Sequence, residues 1–582
     1  MLTQNKITLH SSKIKNIVDR LKIAFINPPH ADWTLANNAT FLMMKSHYAR
    51  NGKYSNFVDW IPPLYKWNAY NNYSEIYDEV KEADVILFSS YTWNAIMIDE
   101  ICQYIKLKNP NILTIVGGPH IGTNEPDLLE KRYKLYDYIC QPTKPGETFI
   151  EDFINSWFEN NHKPMPADIS WEIRSDIQRN HYIDKENYSM YEDNQEYLTT
   201  AIKYAKDNKM EPFVIIETTR GCPYKCVFCE WGGGINTKII KKDIDIVKRD
   251  ILALINAGYK DGYLTDANFG VFEDRDIEIF RFGWQNRLYL SDISTVKSKD
   301  LKRRKRLIDK WFEVVGPGPD TYRKSFNSTD MWKDTEIVSV VPTVSIQSIS
   351  DEAMIVADRI DLSCKDKLEL SKHINAQCTK YGYPIPPLEL ILAMPGSTIQ
   401  DFYDEMELIW NFKAWGSFRH DYMFLPDSKL NSLEYKEKYK IETVDVYSSI
   451  IEEDGVDNWN NLYKNNKNYF KTIKSCYSFT SEEMKEMWFM NIAANYLLQY
   501  AYPPYENLIK PGEFGKICYK IIKQLDGFDQ ILLAIDNIFN TSTPPSSIRE
   551  LNGRFRVEVI EELLKENEVI IKNEVMRSCM KF

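Results

Sequence analysis

Cys222, Cys226 and Cys229 stand in the run Arg220-Gly-Cys-Pro-Tyr-Lys-Cys-Val-Phe-Cys-Glu230, a C-x3-C-x2-C spacing with Phe228 before the last cysteine. Thiolates are anionic ligands, and three of them on one loop can wrap a small inorganic core. Three ligands on a four-iron, four-sulfur cube leave one iron open, and an open iron can bind a second molecule. A structural zinc site asks for four ligands, usually from two C-x2-C pairs, and no second pair or nearby His completes such a set. A disulfide framework is a poor reading as well, because 10 Cys in 582 residues is sparse for a stapled scaffold. The spacing points to a [4Fe-4S] cluster held by Cys222, Cys226 and Cys229.

A loop that holds a cluster needs a rigid element behind it. The preceding run Phe213-Val-Ile-Ile-Glu-Thr-Thr219 is apolar and β-branched, so it reads as a buried strand that delivers the loop. Gly221 and Pro223 supply the turn. Upstream, strand and helix signals alternate. Strands are expected at 22–29, 84–90, 111–120, the third ending in a tight loop, and 136–140, with helices at 96–107 and from Gly146 onward. Such alternation predicts a parallel, doubly wound sheet, whose ligands bind outside the carboxyl ends of the strands. Those ends carry Asn27-Pro28-Pro29, then Ser89, Ser90, Tyr91 and Thr92, then Gly117, Gly118, Pro119 and His120.

Residues 1–155 therefore read as a Rossmann-like domain, and the polar, poorly periodic stretch 156–206 as a linker packing across its neighbours. A β/α barrel is expected over 207–430. Its second strand lies near Tyr259–Gly270, with later strands at 341–348 and 388–396. The long, charged stretch 273–337 reads as an insertion of helices or a lid at the barrel rim. Beyond it, 431–582 reads as a mainly helical domain, with helical runs at 481–500, 514–525 and 548–567.

The cysteine loop after a buried strand resembles that of the radical S-adenosylmethionine (SAM) enzymes. The strand ends of the first 155 residues, with Pro145-Gly-Glu-Thr-Phe149, resemble the cobalamin-binding domain found ahead of many such barrels. The resemblance implies an α/β fold: a cobalamin-binding Rossmann-like domain, a radical SAM partial β/α barrel, and the helical C-terminal domain. It implies three cofactors, a [4Fe-4S] cluster, SAM and cobalamin. The corrin and its tail would lie against Ser89, Ser90, Tyr91, Thr92, Gly117, Gly118, Pro119 and His120. SAM would meet Ser345, Gln347, Arg359, Glu389, Pro395 and Gly396, with Trp231 shielding the cluster. Asp266 and Asn268 either bind the SAM amino group or cap the turn after the second barrel strand. Arg359 is either a carboxylate partner or part of a surface ion pair. No D-x-H-x-x-G motif occurs, since none of the 8 His has Asp two residues before it, so no protein histidine is expected on cobalt.

Enzymes with this pairing of domains are in many cases C-methyltransferases that use SAM twice, once as methyl donor and once as radical source. The expected activity is methyl transfer through methylcobalamin to an unactivated carbon of a peptide or natural-product substrate. A cyclase or rearrangement enzyme of the same family is the alternative, and a non-catalytic cobalamin-binding regulatory protein the alternative of another class. A degenerate barrel would be expected to lose the cysteine loop, which is intact here. A tRNA-methylthiolating enzyme would want a cysteine-bearing N-terminal domain, and Cys102 and Cys140 form no such set. Flavodoxin or ferredoxin is the expected electron donor. Net charge is 72 − 83 = −11, which argues against nucleic acid as a partner. The basic run Lys302–Arg306 reads as a solvated helix face. The start has no apolar signal core, and no run reaches membrane-spanning length, so a soluble, cytoplasmic protein is expected.

Overall fold

The computed structural model describes residues 20–27, 38–62, 73–91, 94–122, 124–140, 146–160, 188–207, 214–229, 239–291, 299–318, 341–359, 361–383, 385–386, 388–412, 418–447, 469–487, 490–491, 512 and 514–516. Two compact units are present, Met1–Glu211 and Pro212–Phe582.

The first unit is built on five parallel strands: β1 (Leu21–Ile26), β2 (Val58–Trp60), β3 (Val85–Ser89), β4 (Leu113–Gly117) and β5 (Tyr138–Ile139). Their spatial order is β2-β1-β3-β4-β5, a doubly wound order whose switch point lies between β1 and β3. Every residue of β3 is buried, as expected of a central parallel strand covered on both faces. Its register with β4 ends at Ser89 opposite Gly117, so the loops after both strands start level. The connecting helices are α1 (Ala39–Asn51), α2 (Tyr73–Val80), α3 (Ala95–Lys108), α4 (Pro126–Leu135) and α5 (Gly146–Glu159). In α3 the buried Ile98, Ile101, Cys102 and Ile105 fall at helical spacing.

The expected linker contains a further helix of this unit, α6 (Gln195–Asp207), which buries Leu198, Ala201, Ile202 and Ala205. Those positions are one stripe at i, i+3, i+4 and i+7, masked in the sequence by polar neighbours. Asn194 donates to Ser46 at 2.9 Å and the Arg50–Asp193 ion pair closes at 2.5 Å, so this segment is docked on α1.

The second unit opens with six parallel strands in two sheets. β6 (Val214–Ile216), β9 (Asp261–Leu264) and β10 (Tyr289–Ser291) form one; β11 (Val344–Gln347), β12 (Leu388–Leu392) and β13 (Phe418–Asp421) form the other. Between them come the short antiparallel pair β7 (Thr219–Arg220) and β8 (Ile240–Lys241), and the helices α7 (Ile244–Ala257), α8 (Glu273–Gln285), α9 (Leu301–Val315), α10 (Asp351–Val356), α11 (Cys364–Tyr381) and α12 (Ile399–Phe412). Helix starts follow capping rules. Asp243, Asp300, Ser350 and Ser363 each accept a backbone N–H from the first turn.

The stretch 273–337 is not an inserted lid in its described part. Residues 273–315 supply α8, β10 and α9, an ordinary wall of the barrel. Its charge is used between the helices: Arg306 and Lys310 pair with Glu273 at 3.0 and 2.8 Å, and Lys305 pairs with Glu369 at 2.5 Å. Within the basic run, Arg304 departs from the solvated-face expectation and is buried.

After the barrel, α13 (Leu433–Lys438) leads into an antiparallel pair, β14 (Glu442–Tyr447) with β15 (Tyr469–Ser475). The expected helical reading did not include this pair. Phe424 N–H donates to Lys471 O at 2.8 Å. Glu407 on α12 accepts from Gly512 N and Gly515 N at 2.9 and 2.8 Å, and Trp410 stacks on Phe514 with centroids 4.6 Å apart. These contacts seat the described C-terminal residues on the barrel. The expected run 548–567 lies outside the described residues.

Candidate functional site

The cysteine loop leaves β6 under tight control. The Asp266 carboxylate, in the turn after β9, accepts from Thr218 N at 2.6 Å, from Thr219 N at 2.9 Å, and from the Thr218 hydroxyl. Arg275 donates to Thr218 O and Lys242 O at 2.9 and 2.7 Å. Farther along, Val227 N–H donates to Ala357 O at 3.0 Å and Val227 O accepts from Leu430 N at 2.9 Å. Bonds to its backbone thus fix the loop before its first cysteine and between its last two.

Cys222 and Cys226 are buried, Cys229 is half-buried, and no disulfide uses them. Among the described residues no three His, Cys, Asp or Glu side chains converge on a single ion-sized point. A cube takes each cysteine on a different iron and so asks for a wider set than a mononuclear ion. The three thiols, on one pinned loop at a strand's carboxyl end, fit a cluster. Trp231 lies outside the described residues.

Asp266 is fully engaged by the loop, and burial pushes its carboxyl up to about 6 from 3.8. The folded chain therefore holds one more proton than the unfolded chain between those two values. Stability falls as pH rises through that window and is flat above it. Asp266→Asn keeps an oxygen for both amides and turns its nitrogen to the Thr218 hydroxyl. It is expected to fold and to lose this slope in urea titrations at pH 4 to 6. Asp266→Ala leaves two buried amides without an acceptor and is expected to lose roughly 1–3 kcal/mol for each. Equal stability of the alanine variant and wild type would refute this role.

In the second sheet of this unit, residues alternate along β11 and β12. Thr343, Ser345 and Gln347 are half-exposed, as are Glu389 and Ile391, while their neighbours are buried. Glu389 accepts from Thr343 Oγ1 at 2.8 Å and from the Ser345 hydroxyl. Gln347 has φ 70° at a bulge in the β11–β12 pairing, and Ala393, just past β12, has φ 57°. Left-handed backbone at two non-glycine residues costs about 1–3 kcal/mol each, and such strain clusters where ligands are handled. Pro395-Gly396 forms the next turn. Gly396 has φ +95°, and a Cβ there would lie 2.9 Å from Ala353 N, so only glycine lets the turn meet the start of α10.

Arg359 is not on the surface. Its Nη2 donates to Ser345 O at 2.6 Å and to Asp361 at 3.2 Å, while its buried Nε has no hydrogen-bond partner among the described residues. Lys367 closes on the other Asp361 oxygen at 3.0 Å. Arg304 shares this environment, held down to about 10 by burial, with Asp361 opposing and Arg359 adding to the shift. Three cations thus surround one carboxylate. The sequence reading missed Arg304, Asp361 and Lys367. Arg304 was findable, because it lies on the stripe that continues through Leu307, Ile308, Trp311 and Phe312 on α9.

In the first unit, the ends of β1, β3 and β4 are stitched together. Asn94 Nδ2 donates to Asn27 Oδ1 at 3.0 Å and to Ser89 O at 3.1 Å, and Tyr91 N donates to Asn94 Oδ1 at 2.8 Å. Ser90 N donates to Gly117 O at 2.7 Å, and His120 N to Ser90 O at 3.1 Å. Gly118 has φ +103°, and a Cβ there would sit 2.5 Å from Ser90 O. The room that Gly118 spares is taken by the Ser90 backbone. Burial, with Arg132 beside it, pushes the His120 imidazole down to about 3, so it is neutral at physiological pH. Pro119 sits between these two residues, half-exposed, and Thr92 lies outside the described residues.

Arg132 is a further residue that sequence reasoning did not find. Completely buried on α4, it donates to the His120 carbonyl and, at 2.8 Å, to Ser90 Oγ. Its Nε lies 3.7 Å from Asp99, which also accepts from Tyr136 OH at 2.9 Å. One cation thereby ties the loop after β3 to the loop after β4.

Comparison with known proteins follows this division. The B12 binding domain family matches residues 71–148. The chain is 22% identical over 376 residues to the cobalamin-dependent radical SAM methyltransferase TokK of Streptomyces tokunonensis, covering 64% of this chain and 51% of that protein. It is 22% identical over 371 residues to 2-(S-pantetheinyl)-carbapenam-3-carboxylate methyltransferase of Streptantibioticus cattleyicolor, covering 63% and 50%. The matched region thus spans about half the length of these relatives. Among solved structures, the radical SAM methyltransferase TsrM from Kitasatospora setae, with cobalamin and a [4Fe-4S] cluster bound, has a TM-score of 0.55 at 13% identity, over 94% of this chain and 100% of that one. The cobalamin-dependent SAM radical enzyme OxsB, with aqua-cobalamin and SAM bound, has a TM-score of 0.55 at 11% identity, over 96% and 84%. No helix among the described residues is long and apolar enough to cross a membrane.

Proposed function

For a chain that carries a B12-binding domain and has the fold of the cobalamin-dependent radical SAM enzymes, we propose the activity of a C-methyltransferase. It moves a methyl group from SAM, by way of the corrin, to an unactivated carbon of a peptide or natural-product substrate. The observation that carries this reading is the pinned three-cysteine loop at the carboxyl end of β6, in a chain that also has a 2-1-3-4-5 sheet with stitched strand ends. When bound, the cluster and the corrin supply one-electron cleavage of SAM and carriage of the methyl group.

The residues divide that work. Cys222, Cys226 and Cys229 would hold the cluster, three thiolates that leave it room to bind SAM. The SAM carboxylate carries negative charge into a dry site, and Arg359, backed by Lys367 and Arg304, offers the compensating field. Ser345, Gln347 and Glu389 line the half-exposed face where ribose hydroxyls find acceptors and donors. Pro395 and Gly396 shape the neighbouring turn against adenine. Trp231 is assigned the shielding of the cluster, and Thr92, with Ser89 to Tyr91 and Gly117 to His120, the corrin and its tail. With no D-x-H-x-x-G motif in the chain, a corrin would be held by these loops without an imidazole from that motif. Electrons come from a flavodoxin or ferredoxin.

An anaerobic assay of the reconstituted chain tests the activity. Candidate substrates are followed by mass while 5′-deoxyadenosine and S-adenosylhomocysteine are counted together. Gain of one methyl with both coproducts in equal amount is expected. A substrate cyclised or rearranged without methyl gain would overturn the methyltransferase reading and leave the cofactor assignment standing.

A further inference from the structure

The turn after β9 reaches the cysteine loop twice. Asp266 takes the backbone at Thr218 and Thr219; two residues on, Asn268 Nδ2 lies 3.1 Å from Cys222 Sγ. We propose that Asn268 is a positioning residue for the cluster: its side-chain amide donates to the Cys222 sulfur and raises the reduction potential of the iron–sulfur core. The inference rests on the cluster assignment above and adds a residue-specific control of its electron affinity.

The direction of the bond follows from the chemistry of a ligated sulfur. A thiolate on iron has no proton to give, so the amide must present nitrogen rather than oxygen. An N–H aimed at sulfur stabilises the electron-rich reduced cluster more than the oxidised one, and hydrogen bonds to sulfur are among the recognised determinants of cluster potential. Both groups are almost fully buried, so water does not dilute the interaction. A neutral amide supplies this without burying a further charge. Placement is rigid. Phe269, the next residue, is buried edge-to-face against Trp311 at 6.0 Å, and Gly270 N–H is held by Asp276 at 2.8 Å.

The contact is invisible to spacing arguments, because Asn268 and Cys222 are 46 residues apart. It also separates the two residues of the turn: Asp266 fixes the loop's backbone, Asn268 addresses its first ligand.

The test is a redox titration of the reconstituted full chain followed by electron paramagnetic resonance. Asn268→Ala is expected to keep its iron and to shift the midpoint to more negative potential. At a fixed potential the reduced-to-oxidised ratio should fall about tenfold, the scale of one hydrogen bond to a charged group. Retained iron with an unchanged midpoint overturns the proposal. If Asn268→Ala does not hold iron, wild-type chain labelled with ¹⁵N at asparagine side chains decides: a ¹⁵N coupling to the reduced cluster supports the bond, and its absence overturns it. Failure of the parent reading looks different, since wild type would then hold no four-iron cluster at all.

Discussion

Replacing Cys222, Cys226 and Cys229 together with alanine is expected to give a folded chain with background iron and sulfide, no visible iron–sulfur absorbance and no reductive cleavage of SAM. The fold should survive because the loop is not held by its thiols. Thr218 and Thr219 bond to Asp266, Val227 bonds to Ala357 and Leu430, and all of these use backbone atoms or residues left untouched. Removing a sulfur from each of the three sites costs a small cavity, while the ligand set is lost entirely. Far-ultraviolet circular dichroism checks the fold and iron quantitation checks the cluster. A variant that kept about four irons per chain would show that other residues hold the core.

That loop was legible because ligand spacing is a local property of the chain. The buried strands β1, β3 and β4 were legible for the same reason, since each is a run of apolar residues closed by Pro, Ser or Gly. The expected helix at 96–107 lies inside α3, observed over Ala95–Lys108. What escaped was short or non-local. Val58–Trp60 and Tyr289–Ser291 are three-residue strands, too brief to show a period of two. Missing the second made a barrel wall look like an insertion, and the charge on α8 and α9 reinforced that reading, although many of those charges pair between the helices of the wall.

The site split along the same line. Asp266 and Asn268 stood out as polar residues in a turn, yet their roles rest on partners up to 48 residues away. Arg359 read as a SAM carboxylate partner or a surface pair, and the structure removes the second alternative by burying the cation on Ser345 O and Asp361. Buried charges are the least readable feature from sequence, because a charged residue signals surface until its partner is known.

Arg132 is the extreme case, and Arg132→Met is expected to lower the stability of the first unit by about 3–5 kcal/mol, the usual cost of removing one member of a buried ion pair. The loss has two parts. One is electrostatic: Asp99, itself buried, keeps Tyr136 and the exposed Lys131 at 3.4 Å but loses its inner cation. The other is positional, because the His120 carbonyl and the Ser90 hydroxyl lose the donor that joins them. The two parts respond differently to a second change. Asp99→Asn keeps an acceptor for Tyr136 and removes the stranded charge, so the Arg132→Met, Asp99→Asn double variant should recover part of the stability. It cannot restore the tie between the loops after β3 and β4. Urea denaturation is therefore expected to rank wild type above the double variant and the double above the single. Corrin retained after gel filtration should be low in both variants. A double variant that regained both stability and corrin would show that the bonds to His120 and Ser90 carry no positioning role. A double variant less stable than the single would show that Asp99 is not held by Arg132 at all.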